Sequence, residues 1–176
     1  KSPAAPARTH AFPETTIPPT VYVAVSPFTP PLEKRQKGIA AVTIPDVRWS
    51  RCDLKTIGLL ANCLAKQHAL ESGADEALFV RDGVALEGSS SNLFIVKDGL
   101  VITNPKTNYI LAGITRQVVL NLCRAHGIEA QEAPVFVEML KTADEVFITH
   151  TTGEIVPVAR INARAVANGA PGRITR

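Results

Sequence analysis

Glu76-Ala-Leu-Phe-Val-Arg-Asp-Gly-Val-Ala-Leu-Glu-Gly-Ser-Ser-Ser-Asn-Leu-Phe-Ile-Val-Lys-Asp-Gly-Leu-Val-Ile-Thr103 is the stretch that sets the fold class. Apolar and β-branched runs at residues 76–80, 91–96 and 100–103 are separated by Asp82-Gly83 and Asp98-Gly99, pairs that favour tight reversals. They predict a small meander of strands. Inside it, Glu87-Gly-Ser-Ser-Ser-Asn92 reads as an acidic turn running into a serine cluster.

On either side the pattern becomes helical. Ile57, Leu60, Cys63, Leu64 and Leu70 recur roughly on one face, and Ser72-Gly73 supplies a stop, which predicts a helix over 56–71 with Lys55 at its start. A second helix is expected over 116–126, just after Thr115, with Gly127 as its left-handed stop. A short helix over 137–143 and strands over 145–149 and 154–161 follow, and residues 168–172 read as loop. Towards the amino end, 38–44 and 20–26 alternate like strands. Nine of the thirteen prolines lie in the first 45 residues, so residues 1–31 read as an extended connector and 32–176 as the domain proper. The class is α+β with mixed strands.

Composition narrows the function. With 176 residues, 45% of them apolar, the chain can bury one sizeable core but not two. A formal charge of +3, with both signs interspersed, argues against a nucleic-acid footprint. Cys52, Cys63 and Cys123 fit neither a zinc site nor an even disulfide framework, so no metal is expected and a reducing cytoplasm is the expected setting. No apolar run is long enough to span a bilayer, which predicts a soluble protein.

Chemistry concentrates at four places: Lys55, Glu87 with its serines, Gly113-Ile-Thr-Arg116 ahead of a helix, and Thr149-His-Thr-Thr-Gly153 between two strands. An amine able to form a Schiff base, a carboxylate and two oxyanion-binding turns are the set a protein needs to hold pyridoxal 5'-phosphate. Lys55 can attack an aldehyde only as the free amine. Ile114 and Thr115 offer backbone N–H groups, a hydroxyl and the positive end of a helix dipole to a phosphate, although Thr115 also suits an ordinary helix cap.

The order and wording of these pieces resemble the fold-type IV pyridoxal-phosphate aminotransferases, and within them the D-amino acid (D-alanine) aminotransferases. The resemblance runs from Arg8-Thr-His-Ala-Phe-Pro13 through Asp46-Val-Arg-Trp-Ser-Arg-Cys-Asp-Leu-Lys55 and Glu87-Gly-Ser-Ser-Ser-Asn92 to Thr149-His-Thr-Thr-Gly-Glu-Ile155. It implies a barrel-like large domain, with a smaller amino-terminal domain before the point where this chain starts. That domain would supply an arginine to the phosphate and a tyrosine beside the substrate. Lys55 is implied as the Schiff-base lysine and the carrier of the proton in the 1,3-shift of transamination. Glu87 would face the pyridine nitrogen and keep it protonated. Ser90, Ser91 and Asn92 would bond the cofactor edge or close their turn, and Leu111 would pack on the ring or belong to the core.

Thr151, beside Thr152, resembles the second half of the phosphate cup. His150 stands where the D-amino acid enzymes carry a small polar residue; it could reach the phosphate or be satisfied by a backbone carbonyl. Arg8 and His10 resemble the loop that grips a substrate carboxylate from the neighbouring subunit, which implies a homodimer, or else form a basic surface loop. The resemblance thus implies amino-group exchange between a D-amino acid such as D-alanine and 2-oxoglutarate. A branched-chain aminotransferase or aminodeoxychorismate lyase of the same superfamily, or an inert binding or assembly module, are the alternatives.

Overall fold

The computed structural model describes residues 10–11 and 17–176. Along the chain run α1 (Leu32–Lys37), β1 (Ile39–Pro45), α2 (Leu60–Glu71), β2 (Glu76–Arg81), β3 (Val84–Gly88), β4 (Asn92–Lys97) and β5 (Leu100–Thr103). There follow α3 (Ile114–Ala125), β6 (Ala130–Glu132), a 3-10 turn at Val137–Lys141, β7 (Glu145–His150), β8 (Glu154–Ile161) and β9 (Arg164–Ala165).

The strands form one mixed sheet in the order β3-β2-β1-β8-β7-β4-β5-β6, and pairing of Glu87 in β3 with Asn92 in β4 closes six of them into a barrel. The pairs β1/β2, β1/β8 and β5/β6 are parallel and the others antiparallel. Parallel neighbours need a crossover, and α2 and α3 are the helices of the β1-to-β2 and β5-to-β6 connections. Both reversals read from sequence are present: Asp82 and Gly83 (φ 51° and 78°) and Asp98 and Gly99 (φ 50° and 82°) all take the left-handed backbone that a two-residue hairpin demands.

The barrel interior is aliphatic, with Ile39, Leu78, Leu93, Ile95, Ile148, Val156 and Val158 buried together. Outside it, Val119, Leu120 and Cys123 of α3 pack on Phe94 and Phe147, whose rings stack at 4.8 Å. α2 packs differently from its sequence pattern. Its buried residues are Ala65 and Ala69, against Ala77 and Phe79, while Ile57, Leu60, Leu64 and Leu70 are exposed. Small side chains let the helix lie close to the sheet, and that choice outweighs the larger apolar stripe. The helix begins at Leu60, so Lys55 lies in the loop ahead of it and not at its first turn.

Three further expectations change. Residues 20–26 form no strand: Val21, Val23 and Val25 are exposed and the segment has no regular structure, because alternation without a neighbouring ladder does not hold a strand. Glu87 sits in strand β3, not in a turn, since Val84–Gly88 finds partners on both sides. Ile114 and Thr115 form the first turn of α3, whose N-cap is Gly113, so Thr115 is not the cap. Among the described residues no helix is long and apolar enough to cross a membrane.

Candidate active site

A cavity of about 1000 Å³ opens where β3, β4 and β7 meet the loop before α2 and the start of α3. Lys55, Glu87, Ser90, Ser91, Leu111, Ile114, Thr115 and Thr151 all line it. Segments nearly a hundred residues apart in sequence thus converge on one space. His10 is exposed and is not on its wall, and Arg8 lies outside the described residues.

Glu87 is buried and receives hydrogen bonds from donors only. Arg48 Nη1 donates to Oε1 at 2.6 Å, while Asn92 Nδ2 at 3.1 Å and the Leu111 N–H at 3.0 Å donate to Oε2. Burial is nevertheless the largest influence and pushes Glu87 up to about 7, against the pull of Arg48 and the Leu111 N–H. Arg48 is shared: its Nε and Nη2 donate to Asp46 at 2.9 and 3.2 Å, and its guanidinium lies 4.1 Å over the Phe79 ring. Burial disfavours that cation, yet Asp46 and Glu87 together hold Arg48 above its ordinary value. Arg81 closes the group by bonding Asp46 Oδ2 and the Arg48 carbonyl.

The serine cluster is anchored from beneath. Glu76, buried at the start of β2, accepts from the Ser89 hydroxyl and N–H and, at 3.0 Å, from the Ser91 hydroxyl. Ser91 therefore lines the cavity with its hydroxyl proton already committed, and Ser90 is the exposed serine of the turn. From α2, Asn62 Nδ2 donates to the Ser89 carbonyl at 2.8 Å.

Asn92 ties this wall to α3: besides Glu87, its Nδ2 donates to the Leu111 carbonyl at 2.8 Å, and its Oδ1 accepts from the Gly113 N–H at 3.1 Å. A Cβ at Gly113 would fall 2.4 Å from Asn92 Oδ1, so only glycine permits the approach. No side chain caps α3, which leaves its first-turn N–H groups without intrahelical partners beside the Thr115 hydroxyl. Below them Arg116 is wholly buried, and its Nη2 donates to Glu132 and, at 2.7 Å, to the Asn104 carbonyl. The Asn104 side chain donates to the carbonyls of Ala85 and Leu86 and accepts from Val135, which links β3 to the base of α3.

On the far wall Thr151 and Thr152 are exposed at a turn between β7 and β8. The His150 ring folds back onto this turn and accepts from the Gly153 N–H, so a backbone N–H, not a carbonyl, satisfies it. Burial holds His150 below its ordinary value. Thr149 Oγ1 is buried without a partner in the same wall. Lys55 is exposed at the mouth, and Lys66 of α2 is a second amine on the lining. Cys52 donates to the Trp49 carbonyl, and burial pushes its thiol up, which disfavours the thiolate.

Sequence reasoning missed Arg48, Asp46, Glu76 and Asn104. Each acts through partners distant in sequence, and the only local signal was Asp46 two residues from Arg48.

Residues 4–161 match the family model described as amino-transferase class IV. The chain is 43% identical over 158 residues to a D-alanine aminotransferase of Bacillus licheniformis, covering 90% of this chain and 56% of that protein. It is 40% identical over 169 residues to a D-alanine aminotransferase of Staphylococcus epidermidis, covering 96% of this chain and 60% of that protein. The chain thus spans less than two thirds of the length of these relatives. Among solved structures, a putative branched-chain amino acid aminotransferase of Thermotoga maritima is similar at 34% identity and a TM-score of 0.75, over 85% of this chain and 55% of that one. The T.th. branched-chain amino acid aminotransferase, complexed with N-(5'-phosphopyridoxyl)-L-glutamate, is similar at 34% identity and a TM-score of 0.73, over 80% of this chain and 49% of that one.

Proposed function

Because this chain belongs to the class IV amino-transferases, we propose that it is the cofactor-holding part of an enzyme that exchanges an amino group between D-alanine or a similar D-amino acid and 2-oxoglutarate. One observation carries the proposal: an amine, a buried carboxylate, the uncapped start of α3 and the Thr151 turn line a single cavity. Pyridoxal 5'-phosphate fits these residues. The uncapped start of α3 offers N–H groups to a phosphate, with the hydroxyl of Thr115 beside them and that of Thr151 across the cavity. Glu87, buried and held near balance between its charged and neutral forms, favours a cationic ring nitrogen beside it.

When bound, that cofactor supplies an electron-withdrawing ring that stabilises negative charge on the substrate Cα. Lys55 holds the cofactor and then moves the proton at the substrate Cα. Glu87, in its charged form, would keep a proton on the ring nitrogen. Leu111 would pack against the ring, and Ser90 and Ser91 would border its edge. Arg8 and His10 are assigned to the substrate carboxylate, reaching it from a second copy of the chain in a homodimer.

The D-alanine specificity is supported by the 40–43% identity to D-alanine aminotransferases. The 34% identity to branched-chain enzymes supports the alternative. Assay of the complete enzyme with D-alanine and L-leucine as donors to 2-oxoglutarate separates the two. Transfer from D-alanine is expected, and a preference for L-leucine moves the assignment to the branched-chain enzymes.

A further inference from the structure

The turn that carries Thr151 is held by Arg35, which is not on the cavity wall, and by His150, which is. Gly153, buried at its base, has both backbone polar groups taken. Its N–H donates to His150 Nδ1 at 3.0 Å, and its carbonyl accepts from Arg35 Nε at 3.0 Å. Arg35 comes from α1, 118 residues upstream, and its Nη1 also pairs with Glu154 Oε2 at 2.9 Å. His150 Nδ1 lies 3.2 Å from Thr152 Oγ1 as well, so it accepts from two donors and the neutral ring carries its hydrogen on Nε2. A Cβ at Gly153 would fall 2.2 Å from His150 Nε2 and 2.8 Å from Val156 Cγ2, so the ring can lie here only against a glycine. The next residue, Glu154, is at φ 58°, a left-handed conformation that a non-glycine residue keeps when its surroundings impose it.

We infer that Arg35 and His150 are positioning residues that preset the Thr151 turn to receive a phosphate, so that anion binding on this wall depends on helix α1. The inference rests on the assignment of Thr151 to the phosphate given above. Neither side chain has to touch the ligand. They fix a backbone that would otherwise be ordered at the expense of binding.

The test compares two ligands of the complete apoenzyme, pyridoxal 5'-phosphate and pyridoxal, which lacks the phosphate, by fluorescence titration. Arg35→Met and His150→Phe should each weaken the phosphorylated ligand about tenfold and leave pyridoxal within about twofold, the scale of one hydrogen bond to a charged group. His150→Asn, whose Oδ1 can accept from the Gly153 N–H, should recover most of the loss. Arg35→Lys, which keeps the charge opposite Glu154 but cannot also hold the Gly153 carbonyl, is the milder variant and should fall between. Equal weakening of both ligands, or no weakening of either, overturns the inference. Thr151→Val separates the two layers. If it also leaves the preference for the phosphorylated ligand intact, the phosphate assignment itself has failed. If it erodes that preference while the Arg35 and His150 variants do not, only the positioning role has failed.

Discussion

Replacing Arg48 with methionine should destabilise the apoprotein by an amount that depends on pH. The substitution keeps an apolar stem over Phe79 but removes the guanidinium that Asp46 and Glu87 share. Breaking a buried pair from one side costs about 3–5 kcal/mol, because the other charge stays buried. Glu87 sets the pH dependence. Its folded-state value of about 7 lies above the ordinary 4.5, so the folded state holds the proton more tightly than the unfolded one. The stability this contributes is complete below pH 4.5 and is lost as pH rises through 7. The gap corresponds to about 3 kcal/mol. Without Arg48 the carboxyl moves higher still and the loss deepens. Urea denaturation should therefore show Arg48→Met about 3–5 kcal/mol less stable at pH 8 but only about 1–2 kcal/mol at pH 5, where Glu87 is protonated in both proteins and Asp46 keeps Arg81. Equal losses at the two pH values would refute the charge-sharing arrangement.

Thr115→Val and Thr151→Val should each weaken pyridoxal 5'-phosphate binding by about 1–3 kcal/mol, measured by titration of the apoenzyme. Unchanged affinity in both would leave the hydroxyls without a role. Glu87→Ala should keep the cofactor yet lose most turnover, since the carboxylate matters most as charge develops on the ring; wild-type turnover in a steady-state assay would contradict this. Asn104→Ala strands the buried carbonyls of Ala85 and Leu86 and the Val135 N–H, and should cost about 2–4 kcal/mol in thermal unfolding; a melting temperature equal to wild type would show that the link is dispensable.

Elements with a strong local signature were legible in the sequence. The Asp-Gly reversals, β5, β8 and the stop of α3 at Gly127 stand where pattern and turn chemistry place them. Where tertiary packing decides, the pattern misled. The leucine stripe of α2 faces out because Ala65 and Ala69 allow a closer fit to β2, and the valines of residues 20–26 meet no ladder. β3 carries too short a run to be told from a turn, yet it closes the barrel and presents Glu87. The candidate residues named from sequence that line the cavity were picked out through motif wording, whereas Asn62 and Lys66, which also line it, were not. Nor were the supports, because Arg48 under Glu87, Glu76 under the serines and Arg35 behind Gly153 are ties across 39, 13 or 15 and 118 residues, which leave no periodic trace.

The central claim is that Lys55 is the amine that holds the cofactor, and the cavity provides its own control, because Lys66 lines it too. Borohydride reduction of the complete, cofactor-loaded enzyme followed by peptide mapping identifies the lysine directly. The pyridoxyl mass should appear on the peptide containing Lys55 and be lost in Lys55→Ala. Labelling of Lys66, or of any other lysine with Lys55 unmodified, would contradict the assignment.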